Sequence, residues 1–165
     1  MPTMRTVAAA LIFSLSATPV IAGKLPSLPA SIQGIWLSDD AEGRAQCKSF
    51  LAAMSADNED AYDKLVGALV IGDTVLHAYA EYGEGDFYQP KRIKKLGKKG
   101  WRISAAVGID GSPEGENIGT SEFDLSLDAG KLQWDMVSFN RKPVDSWDEH
   151  VYFRCADVPV GMYAN

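Results

Sequence analysis

The sequence predicts a mainly β protein: an antiparallel up-and-down barrel of about eight strands, with one or two short helices after the first strand. Three observations carry this prediction. Apolar and polar residues alternate over many short segments. Those segments are joined by short turn-forming links, without the helical crossovers that parallel strands need. One stretch, 44–66, departs from alternation and takes helical spacing.

Residues 1–22 read as a secretory signal peptide. Arg5 is their only charge, Val7 to Ala17 form an apolar run, and Val20-Ile21-Ala22 ends in the small residue a cleavage site needs. A membrane anchor is the alternative, but the run is shorter than the roughly 20 apolar residues of a span, and Pro19 interrupts it. The residue directly after Ala22 is Gly23 and not a cysteine, so no lipid attachment is expected. Residues 23–165 then form a single domain of about 143 residues, enough for a core of its own. Without Arg5, 15 basic residues face 22 acidic ones, a charge of about −7. That balance disfavours nucleic acid as a partner. The expected product is a periplasmic or secreted monomer without a membrane span.

Each element has its own signal. The first strand runs around Ile32 to Ser38, with Trp36 turned inward. In 44–66, Cys47, Phe50, Leu51 and Met54 fall at helical spacing, with Ser38, Asp39 or Asp40 as caps. A second turn has Asp57 or Asp60 as cap and Tyr62, Leu65 and Val66 on one face. The apolar stripe is expected to cover an end of the barrel. Segments 67–71 and 74–80 flank Gly72-Asp73, which suits a tight hairpin. Segments 87–96 and 101–107 are linked by the glycines and lysines of 97–100. Phe123, Leu125 and Leu127 share one face of the next strand, Asp128-Ala129-Gly130 turns the chain, and Leu132, Trp134 and Met136 share a face of its partner. The last strand sets Val151, Phe153 and Cys155 against His150, Tyr152 and Arg154, with Val151 and Phe153 expected to face inward. Closing the barrel brings the first strand beside the last. An even pair of cysteines in an exported chain reads as a disulfide, and a Cys47–Cys155 bridge fits that closure. By chain entropy it contributes about 4 to 5 kcal/mol.

Gly34-x-Trp36 in the first strand, with Arg154 near the end of the last, resembles the lipocalins and the wider calycin group. That resemblance implies a barrel whose floor is closed by Trp36 packed against Arg154, a planar guanidinium suited to an indole face. The acidic turn between middle strands that marks lipocalins has no clear match in this chain. The same group includes small periplasmic barrels that inhibit metalloproteases through a protruding amino-terminal tail. Gly23 to Ala30, extended and proline-containing, is the counterpart that resemblance points to.

Functional chemistry is sparse. His77 and His150 lie on separate strands, no nucleophile elbow or zinc-protease helix occurs, and Ser146, Asp148 and His150 are too close in sequence to be read as a triad. No enzymatic activity, catalytic residue, cofactor or metal is expected. Asp110 to Gly115 imitates the start of a calcium loop, but Ser121 stands where its bidentate glutamate belongs. Two features remain. Trp36, Trp101, Phe123, Leu125, Trp134 and Phe153 either line a pocket for a small apolar or amphipathic ligand or fill the barrel outright. Lys91, Arg92, Lys94, Lys95, Lys98, Lys99 and Arg102 gather nearly half of the domain's positive charge on one hairpin, either to meet an anionic envelope partner or to keep a sheet edge solvated. The expected function is therefore non-covalent binding of such a ligand or partner. Its alternatives are inhibition of a hydrolase through the tail or a loop, and a passive role in the envelope.

Overall fold

A computed structural model describes residues 25–56, 58–111, 117–145 and 150–163. The predicted signal peptide, Asp57, most of the glycine-rich loop after Asp110, and Ser146, Trp147 and Asp148 lie outside them. Alternation and short turns produce the closed barrel they predict. Strands β1 (Gly34–Ser38), β2 (Leu69–Ile71), β3 (Leu76–Tyr79), β4 (Gly85–Lys95), β5 (Gly100–Ile109), β6 (Asn117–Asp128) and β7 (Lys131–Phe139) pair in sequence order. The short β8 (Lys142–Pro143) folds back on β7, and β9 (His150–Ala156) joins β7 to β1 to complete an eight-stranded antiparallel ring.

Turn chemistry sets the registers. Ala129 and Gly130 both take positive φ, the two-residue geometry whose twist matches the flanking strands, so Asp128 pairs with Lys131. The link between β2 and β3 is longer than Gly72-Asp73 implies. Ile71 pairs with Leu76, and the Gly72 N–H donates to the Val75 carbonyl at 2.8 Å, which makes a four-residue loop.

Helix α1 (Ala41–Ser55) starts at Asp40, whose carboxylate accepts from the Gly43 N–H at 2.7 Å. A 3₁₀ helix, Glu59–Leu65, follows. Its cap is Asn58, not Asp60, which is itself the donor to the Asn58 side chain. These helices cover the outer wall, not an end of the barrel as expected. Successive strand residues point to opposite faces. Trp36 enters the interior, while Ile35 and Leu37 face outward and pack with Cys47, Phe50, Leu65 and Val70. Only part of the α1 stripe is used, because Leu51 and Met54 remain exposed.

The Cys47–Cys155 disulfide fastens α1 to β9 across this outer layer, with Cα atoms 5.7 Å apart. It also fixes the facing of β9, which is the reverse of the expectation. Tyr152 belongs to the interior, whereas Phe153 and Cys155 lie in the outer cluster and Arg44 of α1 sits 4.7 Å above the Phe153 ring. The helix is outside, so the cysteine that bonds to it, and every second residue from it, must be outside too. Asp39 adds a polar clasp: its carboxylate binds Lys131 of β7 and Arg44 of α1, and those cations hold it below the usual carboxylate range.

Candidate functional site

Three regions are relevant to binding: the interior, the basic hairpin, and a cleft on the outer wall. The interior holds Trp36, Trp101, Phe123, Leu125 and Trp134 of the predicted lining, together with Tyr88, Ile103, Leu132, Met136 and Tyr152. Phe153 is not among them. Rings from β4, β6 and β7 meet across the barrel. Tyr88, Phe123 and Trp134 make three mutual edge-on contacts with centroids 5.4 to 5.7 Å apart. Burial pushes the Tyr152 phenol up to about 12.

One end of the barrel is plugged. Leu28, 2% exposed, anchors the segment before β1 through its N–H to the Asp73 carbonyl, and Ile32 accepts the Trp36 indole N–H at 2.8 Å. Gly23 and Lys24 of the expected tail lie outside the described residues, and its described part, Leu25 to Ala30, does not protrude, because Leu28 is part of the core. Arg154 is Trp36's partner across the ladder but crosses over Gly34. It donates to the Gln33 carbonyl at 2.9 Å and pairs with Asp157 at 2.6 Å. This explains the glycine of Gly-x-Trp. Gly34 has φ +147°, and a Cβ there would come within 2.7 Å of the arginine's Nε.

The basic cluster occupies the β4–β5 hairpin, and the structure divides it. Arg102 makes a two-pronged pair with Asp124 of β6 at 2.8 Å, and Arg92 lies 3.9 Å from Glu122. Lys91 donates to the Gln89 side chain, and Lys99 stands 3.9 Å from Asp128 with both groups largely solvated. Lys94, Lys95 and Lys98 have no carboxylate within 4 Å among the described residues. Between them at the tip sits Leu96, 37% exposed. The tip therefore pairs uncompensated positive charge with an apolar side chain.

The cleft lies on the outer wall near the start of β4, has a volume of about 490 Å³ and is lined by Tyr62, His77, Tyr79, Gly83, Phe87, Val160, Gly161, Met162 and Tyr163. His77 and Phe87 are direct partners across the β3–β4 ladder, and their rings stack at 3.8 Å. The His77 Nε2–H donates to the Glu84 carbonyl at 2.9 Å, which leaves Nδ1 to accept from the Tyr163 hydroxyl at 2.9 Å. Burial lowers the pKa of this histidine, so the ring is neutral. Burial likewise raises the phenols of Tyr79 and Tyr163, with nearby Asp63 adding to the shift at Tyr79. The sequence reading missed this site. Its signal was present in His77, Tyr79 and Phe87, which share the outer parity of adjacent strands. Tyr62 and Tyr163 come from distant segments that alternation does not connect.

Among the described residues, no group of three or more His, Cys, Asp or Glu side chains is placed to hold a metal ion. Asp110, the first residue of the calcium-like loop, accepts from the Gly85 N–H. No described helix is long and apolar enough to cross a membrane. No protein-family model, curated protein or solved structure matches this chain. The calycin likeness therefore rests on architecture: a closed eight-stranded barrel with its helix after the first strand.

Proposed function

We propose that the protein is an exported, non-enzymatic binding protein that meets a phosphate-bearing lipid surface of the cell envelope through the tip of the β4–β5 hairpin. The observation that carries this reading is the set of Lys94, Lys95 and Lys98, without carboxylate partners among the described residues and grouped around exposed Leu96. Lysines attract phosphate groups, and the leucine gains by entering the region beneath them. The charge distribution favours one orientation. Strand β4 is 11 residues long, about 35 Å, and at its far end lie Glu81 and Glu84, in the turn before it, and Asp86 near its start. Those carboxylates point away from an anionic surface when the hairpin points toward it.

Two observations favour this reading over the others. The interior candidates pack against one another, which leaves a ligand inside the barrel without support, and buried Leu28 removes the support for an inhibitory tail. The test is co-sedimentation with vesicles of phosphatidylcholine alone, vesicles containing phosphatidylglycerol, and lipopolysaccharide micelles. Each lysine near an anionic surface contributes about 1 kcal/mol, so the triple variant K94E/K95E/K98E should bind about a hundredfold more weakly or worse. Binding should also fall steeply with salt. Equal binding to neutral vesicles, or an unaffected variant, sinks the proposal, and the lipid that retains the protein identifies the source of the phosphate.

A further inference from the structure

We propose that the outer-wall cleft binds a small alkylated ammonium ligand of the choline type, held against the rings of Tyr62, Tyr79, Phe87 and Tyr163. Four features of the cleft point to a cation and not to a neutral apolar molecule. First, its walls are mainly aromatic, and the faces of such rings carry the negative lobe of their quadrupole. Second, the walls contain no lysine or arginine among the described residues. Third, the described segments that form the cleft, 58–65, 81–87 and 157–163, carry Asp60, Asp63, Glu81, Glu84, Asp86 and Asp157 against Lys64 and against Arg154 of β9, which pairs with Asp157 at 2.6 Å. Asp86 is turned to the barrel interior, where its carboxylate accepts from the Tyr88 hydroxyl. Asp63 stands close enough to Tyr79 to act on its phenol. Fourth, the rings are fixed before any ligand arrives. His77 stacks on Phe87 and is bonded on one side to the Glu84 carbonyl and on the other to the Tyr163 hydroxyl, so two walls share one buried, neutral anchor.

An alkylated ammonium fits this chemistry better than a primary amine. It is weakly hydrated and too bulky to form a close salt bridge, so ring faces replace its water at small cost. The volume of about 490 Å³ lies within the range of small-molecule sites and exceeds what one trimethylammonium group needs, leaving room for a substituent toward the apolar rim at Val160.

The test uses the full protein, choline as the probe and 3,3-dimethylbutan-1-ol as its neutral carbon analogue, with binding read by calorimetry. Choline should bind about tenfold or more tightly than the analogue, because only the charged form draws on the rings. Phe87→Leu keeps an apolar side chain but removes one ring, and should weaken choline several-fold while leaving the analogue unchanged. Asp63→Asn is an exposed change that cannot disturb the core, and it should weaken choline alone. Equal binding of choline and the analogue, or no choline binding at millimolar concentration, overturns the proposal. So does an Asp63→Asn variant of unchanged affinity whose Phe87→Leu counterpart binds both molecules as the native protein does.

Discussion

Strand β4 connects two regions of opposite chemistry. At Gly85 it enters an aromatic cleft bordered by carboxylates, and at Lys95 it ends in a hairpin tip whose Lys94, Lys95 and Lys98 have no carboxylate within 4 Å among the described residues. Between them Tyr88 turns inward and meets Phe123 and Trp134. The contrast teaches that in this barrel the centre and the ends are built from different chemistry. The centre contributes stability by burying rings against rings. The hairpin tip carries lysines that packing does not use, and the cleft carries packed rings that line a surface hollow.

Substitutions in the centre should therefore lower stability and impair both ends together, whereas substitutions at one end should affect that end alone. The largest effect is expected for Trp36→Ala. The ring is 1% exposed and its N–H closes the plugged end, so chemical denaturation should show a loss of about 3 to 5 kcal/mol. A loss below about 1 kcal/mol would mean that the interior is loosely filled, and the contrast between centre and ends would fail. Next in size is the cross-comparison of ends. K94E/K95E/K98E should lose lipid binding and keep choline binding, and Phe87→Leu should weaken choline binding several-fold and keep lipid binding.

The smallest effect is the dependence of stability on pH. Burial holds the folded His77 below its ordinary value of 6.5, so as pH falls through 6.5 the unfolded chain takes up a proton before the folded one does. Stability should decline from that point downward, by at most about 1.4 kcal/mol per pH unit for one proton. Asp39 behaves in the same direction at lower pH. Lys131 and Arg44 keep it charged below its ordinary 3.8, so a second decline begins there. Urea midpoints measured between pH 7.5 and 3 check both. His77→Asn should flatten the first decline, and stability rising as the pH drops from 7 toward 5.5 would contradict the assignment.

Much of this fold was legible in the sequence because alternation and turn residues are local signals. The strands at 121–136 and the Cys47–Cys155 pairing follow from residues close together or from the even number of cysteines, and local pattern narrowed the helix cap to Ser38, Asp39 or Asp40, of which Asp40 serves. What local pattern did not settle was which side of the wall is inside. In β9 both Tyr152 and Phe153 are large and apolar, and only the position of α1 decides between them. Had α1 been placed on the outer wall, Cys155 would have carried Phe153 outward with it. The plug at Leu28 and the cleft at His77 depend on contacts between distant segments, Leu28 with Asp73 and His77 with Tyr163. No periodicity reports these. For the hairpin, sequence located the charge, but only geometry distinguishes Arg102, neutralised by Asp124, from Lys94, which has no carboxylate partner among the described residues.

The central claim is that recognition takes place on the outside of a filled barrel. Amide chemical-shift mapping of the isotope-labelled protein tests it most directly, with three additions: anionic bicelles, choline and a fatty acid. The account predicts shifts over 91–102 with bicelles, shifts over 77–87 and 160–163 with choline, and no saturable change at Phe123, Leu125 or Trp134 with any of them. Saturable shifts centred on Phe123, Leu125 and Trp134 when the fatty acid is added would contradict it and return the binding site to the barrel interior.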